Sequence, residues 1–211
     1  MTRALLLERV LRHFRSARMR RFERTFQIST RTRILDVGGS PLIWRYASVQ
    51  PKLTILNLPT ALGSNPEPFW LVAGDGCRLP FADQAFDIVF SNSVIEHVGS
   101  DRQAEFAREI ARVGRRYWVQ TPNRSSPIEA HVMLPLIHYL PKPLQQAIAR
   151  RFTVWELLVR PTEAERRFYI EHFLNDLRLL SARDLQALFP DARIIYERVA
   201  GFPKSLVAVR G

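Results

Sequence analysis

Polar groups and glycines break the first half of the chain at regular intervals. Asp36 is followed by Gly38, Gly39 and Ser40, Asn57 by Leu58, and Asp75 by Gly76 and Cys77, while Ser91 and Asn92 lead into Glu96 and His97. Carboxylates and amides in such places can hold the hydroxyl and amino groups of a ligand, and glycines let it touch bare backbone. His97, Glu129 and His131 are candidate bases, able to take a proton from a nucleophile near neutral pH. Glu129 and His131 stand two residues apart and face one side only if that piece is extended.

Every one of these breaks ends an apolar run. Arg33-Ile34-Leu35-Asp36-Val37, Leu53-Thr54-Ile55-Leu56, Phe69-Trp70-Leu71-Val72 and Phe86-Asp87-Ile88-Val89-Phe90 read as four buried strands that deliver their polar ends to one edge. Gly38 and Gly39 allow a sharp turn out of the first strand. Ser40 can cap a helix whose first residue is Pro41, a position that needs no N–H. Open α/β sheets bind ligands at that carboxyl edge. Ser100-Asp101-Arg102-Gln103 reads as a capping box opening a helix to about Val113, with Phe106 and Ile110 inward, and Arg116 to Gln120 reads as a fifth strand. Prolines 122, 127, 135, 141 and 143 then change the pattern. Residues 122–180 form an expected lid or acceptor-pocket insertion, helical from Leu144 to Phe173 but interrupted at Pro161. A capped helix from Ser181 to near Phe189 follows. Ala192–Tyr196 and Ser205–Val209 are the last two strands, joined through Gly201-Phe202-Pro203.

These residues resemble the class I, Rossmann-like methyltransferases that use S-adenosylmethionine, in their small-molecule branch. Asp36-Val37-Gly38-Gly39 is similar to the family's acidic-x-Gly-x-Gly loop. Gly74-Asp75-Gly76-Cys77-Arg78-Leu79-Pro80-Phe81 followed by Phe86-Asp87-Ile88-Val89 is similar to its third and fourth strand motifs, and Ser93-Val94-Ile95-Glu96-His97-Val98 to the segment after the fourth strand. The resemblance implies an α/β fold with a doubly wound, seven-stranded, mostly parallel sheet, one of the last two strands running antiparallel. It implies that Asp36, Gly38, Gly39 and Ser40 surround the methionine part of S-adenosylmethionine and that Asn57 holds the ribose hydroxyls. Asp75 would take the adenine amino group, Leu58, Gly76 and Cys77 would line the adenine pocket, and Ser91 and Asn92 would close the cofactor side. The family usually has glycine where Ser40 stands and a carboxylate where Asn57 stands. A neutral amide accepts weaker hydrogen bonds than a carboxylate, which implies reduced affinity.

Other chemistries fit less well. A dinucleotide fingerprint wants glycine at positions occupied here by Gly38, Ser40 and Ile43, so two of three fail. No close carboxylate cluster suggests a metal, and the one cysteine, Cys77, excludes an intrachain disulfide. The net charge of +11 is local: residues 1–33 hold ten arginines against Glu8 and Glu23. Residues 1–30 form an expected basic amphipathic helix, with Leu7, Val10, Leu11, Phe14, Phe22 and Phe26 mostly on one face. It can dock on the sheet domain of residues 31–211, lie on anionic lipid, or bind nucleic acid, although no named nucleic-acid motif is present. The absence of an 18-residue apolar run or secretory leader suggests a soluble cytoplasmic protein with possible peripheral membrane contact. The expected activity is methyl transfer to a small-molecule, lipid or glycan-type acceptor, the alternative being a catalytically silent module that docks through its basic helix.

Overall fold

The computed structural model describes residues 3–59, 70–127, 136–151, 177–199 and 201–211. Strand β1 (Arg33–Val37) lies inside the sheet, and its apolar side chains alternate between two covered faces. β2 (Lys52–Asn57) and β3 (Trp70–Ala73) lie parallel on one side of it, and β4 (Phe86–Asn92) and β5 (Gly114–Pro122) lie parallel on the other. The hairpin of β6 (Arg193–Val199) and β7 (Phe202–Arg210) adds β7 antiparallel to β5 and β6 at the far edge. The seven strands follow the order β3-β2-β1-β4-β5-β7-β6, so the chain reverses direction across the sheet between β1 and β4. In a doubly wound sheet that switch point opens a crevice at the carboxyl ends.

Leu35, Val37, Val89, Tyr117, Val119 and Ala208 face α3 (Gln103–Val113) and α5 (Ala182–Leu188), burying Phe106, Ile110, Leu185 and Phe189. Their neighbours Ile34, Ile88, Phe90, Trp118, Val207 and Val209 face the opposite way, against α1 (Arg3–Phe26) and α2 (Pro41–Trp44). Met19 and Phe22 are fully buried there. The Phe22 ring meets Phe26, Trp44, Phe90 and Trp118 edge-on, with centroids 4.8 to 6.1 Å away. Full burial of one such side chain is worth about 1.5–3 kcal/mol. The C-terminal half of α1 is therefore a layer of the core, while Arg12, Arg20, Arg21 and Arg24 remain exposed.

Two helix starts differ from the expectation. Ser40 occupies the N-cap of α2, but its hydroxyl caps nothing, and Pro41 alone supplies the start signal. The Ser100 capping box does not form either: Arg102 is the N-cap of α3. Gln103 instead sends its amide nitrogen to the carbonyls of Ile95 (3.1 Å) and Arg178 (3.0 Å), two chain segments that only the folded protein brings near. The box at Ser181 and Asp184 is present in full. α4 (Lys142–Arg151) begins where the helical pattern of the insertion was expected, and residues 152–176 lie outside the described residues.

Candidate functional site

The carboxyl ends of β1 to β4 are tied into one surface. Gly38 leaves β1 with φ +74 and its N–H donates to the Leu56 carbonyl at the end of β2 (2.7 Å). A Cβ at Gly38 would stand 2.5 Å from Val94, and one at Gly39 would overlap the Asp36 carboxylate. Both positions therefore require glycine, for conformation at the first and for space at both. Val94 reaches the loop because Ser93 takes the left-handed conformation (φ +57), held by its N–H and hydroxyl on the Gln120 carbonyl and amide oxygens, each 2.9 Å.

Asp36 sits under this loop, fully buried. Trp44 of α2 donates its indole N–H to Oδ2 (2.7 Å), while Oδ1 has no hydrogen-bond partner among the described residues. Desolvation raises its pKa to about 7, the Trp44 hydrogen bond opposing that only in part. From beneath the two glycines the carboxylate can act through its charge on a cationic ligand group above the turn, which would favour the ionised form.

Asn57, at the end of β2, bridges inward. Its amide nitrogen donates to the Gly39 carbonyl (2.9 Å) and its oxygen accepts from the Leu58 N–H (2.9 Å). Among the described residues, one lone pair on that oxygen is left for a ligand hydroxyl. Leu58 is exposed beside it. After β3, Asp75 accepts the Cys77 N–H (2.9 Å) and, on its other oxygen, the Arg102 guanidinium (2.6 Å). Although burial alone would raise it, these two partners hold the Asp75 carboxyl below its usual range. Asp75 and Arg102 are 43% and 41% exposed, so solvent screens the pair. Burial pushes the Cys77 thiol up to about 11, and its S–H turns to the Arg102 carbonyl (3.7 Å), which makes it wall rather than nucleophile.

Other expected residues play supporting parts. Ser91 is fully buried and donates to the Val37 carbonyl (3.0 Å), clamping β4 to β1. Gly76 packs against Phe106 and Val37. Asn92 points to the other sheet face, where Arg18 of α1 donates to it (2.6 Å) and also holds Glu197. His97 ends the 3-10 turn Ile95–His97, half-buried and just past the switch point. Glu129 and His131 lie outside the described residues. Among the described residues no group of His, Cys, Asp or Glu could hold a metal.

Two side chains were not expected at this edge, and Glu96, one of the polar groups after β4, takes a structural part. Glu96 is buried and accepts the Thr121 hydroxyl (2.9 Å), joining the turn to β5, and a carboxylate between Ile95 and Val98 was its only signal. Arg102 and Trp44 reach Asp75 and Asp36 from distant positions, and no spacing rule connects them.

The sequence from residue 42 to residue 116 matches a family model described as a methyltransferase domain. That segment, about a third of the chain, is similar to a methyltransferase domain, and the strand order is that of a Rossmann-like doubly wound sheet. Solved structures share its fold at low identity. Magnesium protoporphyrin IX methyltransferase from Synechocystis PCC 6803, with bound S-adenosylhomocysteine, is 11% identical at a TM-score of 0.54, covering 95% of this chain and 83% of that one. Burkholderia thailandensis 1,6-didemethyltoxoflavin-N1-methyltransferase is 14% identical at 0.54, covering 94% and 76%. A chain of the complex between the Haloferax volcanii Trm112 methyltransferase activator and a methyltransferase is 14% identical at 0.53, covering 93% and 86%. No curated protein matches. The glycine turn, Asn57 and Asp75 stand at the ends of β1, β2 and β3, in the order expected from the sequence.

Proposed function

We propose that this methyltransferase binds S-adenosylmethionine along the ends of β1, β2 and β3 and transfers its methyl group to a small organic acceptor seated over β4 and β5. The observation that carries the reading is the buried, half-satisfied Asp36 carboxylate under Gly38 and Gly39. It suits a ligand whose polar end is cationic. Asp36 and the glycine turn would hold the methionine end, Asn57 the ribose through its remaining lone pair, and Asp75 with Leu58 and Cys77 the adenine end. Bound there, the cofactor supplies an electrophilic methyl carbon. The protein then has to orient the acceptor in line, exclude water, and remove a proton if the nucleophile carries one. His97 is assigned the role of base, with Glu129 and His131 as further candidates.

Calorimetric titration with S-adenosylmethionine and S-adenosylhomocysteine tests this. Micromolar binding with preference for the demethylated product is expected. No binding at millimolar concentration would refute it in favour of a silent Rossmann-like module, a reading supported by the internal hydrogen bonds that already engage Asn57 and Asp75.

The exposed arginines of α1 support a second contact, with an anionic membrane face. No helix among the described residues is long and apolar enough to cross a membrane, so such contact would be peripheral. Co-sedimentation with anionic and neutral vesicles tests it, and equal binding to both would exclude it.

A further inference from the structure

The carboxyl end of β5 opens into a second feature, one strand beyond the switch point. Arg124, His138, Lys142 and Arg178 line a cleft of about 270 Å³, together with Gln145, Leu177 and Leu179. None of the described lining residues is acidic. The basic side chains come from three separate segments that the fold draws together. Arg124 follows β5, and its N–H donates to the Leu180 carbonyl (2.9 Å). Arg178 is anchored by its own N–H to the Glu96 carbonyl (2.8 Å) at the end of the 3-10 turn, and Lys142 opens α4 and donates its ammonium to the Leu177 carbonyl (3.0 Å). His138 and Tyr139 both engage the Arg124 carbonyl at 2.9 Å, which holds that backbone still. Because a carbonyl only accepts, His138 Nε2 carries the proton in that contact.

Two of the guanidinium groups have few hydrogen bonds among the described residues, although Arg124 also acts electrostatically on the Asp184 carboxylate. The Arg124 guanidinium makes no hydrogen bond with any described residue. Among the described residues the Arg178 guanidinium has a single long contact, 3.4 Å from Nη1 to the Leu177 carbonyl. Such forks match the geometry of phosphate and carboxylate oxygens. The position is informative as well. Neighbouring strands stand about 4.8 Å apart, so the end of β5 lies roughly 10 Å from the glycine turn after β1. That separation suits a small molecule with its reacting atom near the cofactor site and a charged group at its other end.

We propose that this cleft holds an anionic group, phosphate or carboxylate, carried by the methyl acceptor, so that the substrate class is an anionic small molecule. The assignment rests on the methyltransferase reading, and its test separates the two. The full-length protein, saturated with S-adenosylhomocysteine, is titrated calorimetrically with inorganic phosphate, pyrophosphate and succinate. The same titrations are made on the double variant Arg124→Gln/Arg178→Gln and on a control, Arg20→Gln/Arg24→Gln, which removes equal charge from α1. Thermal melts verify that both variants fold.

Saturable binding of at least one anion is expected in the wild type, weakened tenfold or more in the cleft variant and unchanged in the control. Which anion binds tells phosphate from carboxylate. No saturable binding of any of the three, or equal weakening in both variants, overturns the proposal. S-adenosylhomocysteine affinity is expected to be equal in all three proteins. Its absence throughout would sink the methyltransferase reading, whatever the anions do.

Discussion

Asp36→Asn isolates the energetics of the buried carboxylate, because it keeps an acceptor for the Trp44 indole while removing the ionisable group. The carboxyl titrates near 7 in the folded protein against 3.8 unfolded. Since its folded pKa is the higher, the folded state holds the extra proton between those values. Stability therefore falls as pH rises from about 4 to about 7 and is flat with respect to this group beyond. A shift of that size corresponds to roughly 4 kcal/mol. The asparagine removes this term at high pH but buries an amide nitrogen where Oδ1 now lacks a partner, a defect of about 1–3 kcal/mol. The variant should thus be less stable than wild type at pH 4 and more stable at pH 8, by roughly 1–3 kcal/mol. Their difference should move by about 4 kcal/mol, or some 8–16 °C in melting temperature for a chain of this size. Urea unfolding of both proteins from pH 4 to pH 8 measures it. Other carboxylates with lowered pKa, among them Asp75, Asp87 and Asp191, tilt both profiles the opposite way and cancel in the difference. Parallel profiles would refute the assignment of a raised pKa to Asp36. A cationic ligand over Oδ1 also favours the ionised form, so S-adenosylhomocysteine affinity should tighten as pH approaches 7 in the wild type and lose that dependence in the variant.

Gly38→Val should abolish cofactor binding with little loss of circular dichroism, because a branched side chain at φ +74 would collide with Val94, and unchanged calorimetry would refute the glycine-turn site. Asp75→Ala should weaken S-adenosylhomocysteine by roughly ten- to a hundredfold, the worth of one hydrogen bond to a charged group, and an unaltered dissociation constant would move the adenine pocket elsewhere. Phe22→Ala should destabilise the whole protein by roughly 3–5 kcal/mol in urea unfolding, since its ring is fully buried among four aromatic neighbours; a loss under 1 kcal/mol would mean that α1 is not a layer of the core.

Much of the scaffold was legible in the residues themselves. Runs such as Ile34-Leu35 and Ile88-Val89 are apolar at consecutive positions, which only a strand covered on both faces tolerates, and the breaks after Asp36, Asn57 and Asp75 mark one sheet edge. Gly38 and Gly39 stand where backbone conformation and space leave no substitute. The chain alone could not choose among the fates of α1, because a basic amphipathic helix suits a sheet, a lipid surface or nucleic acid equally. Burial of Met19, Phe22 and Phe26 against Trp44, Phe90 and Trp118 settled the inner face, and that contact joins residues far apart in sequence. Capping failed as a guide at Ser40 and Ser100 for a similar reason. A cap is a local preference of about 1 kcal/mol, and at Gln103 it lost to long-range hydrogen bonds with Ile95 and Arg178. The same holds for Arg102 on Asp75, Trp44 on Asp36 and the cations around the cleft beyond β5. Local pattern determined which elements form and which ends carry polar groups, while tertiary packing decided the partners that set the charge and reach of those groups.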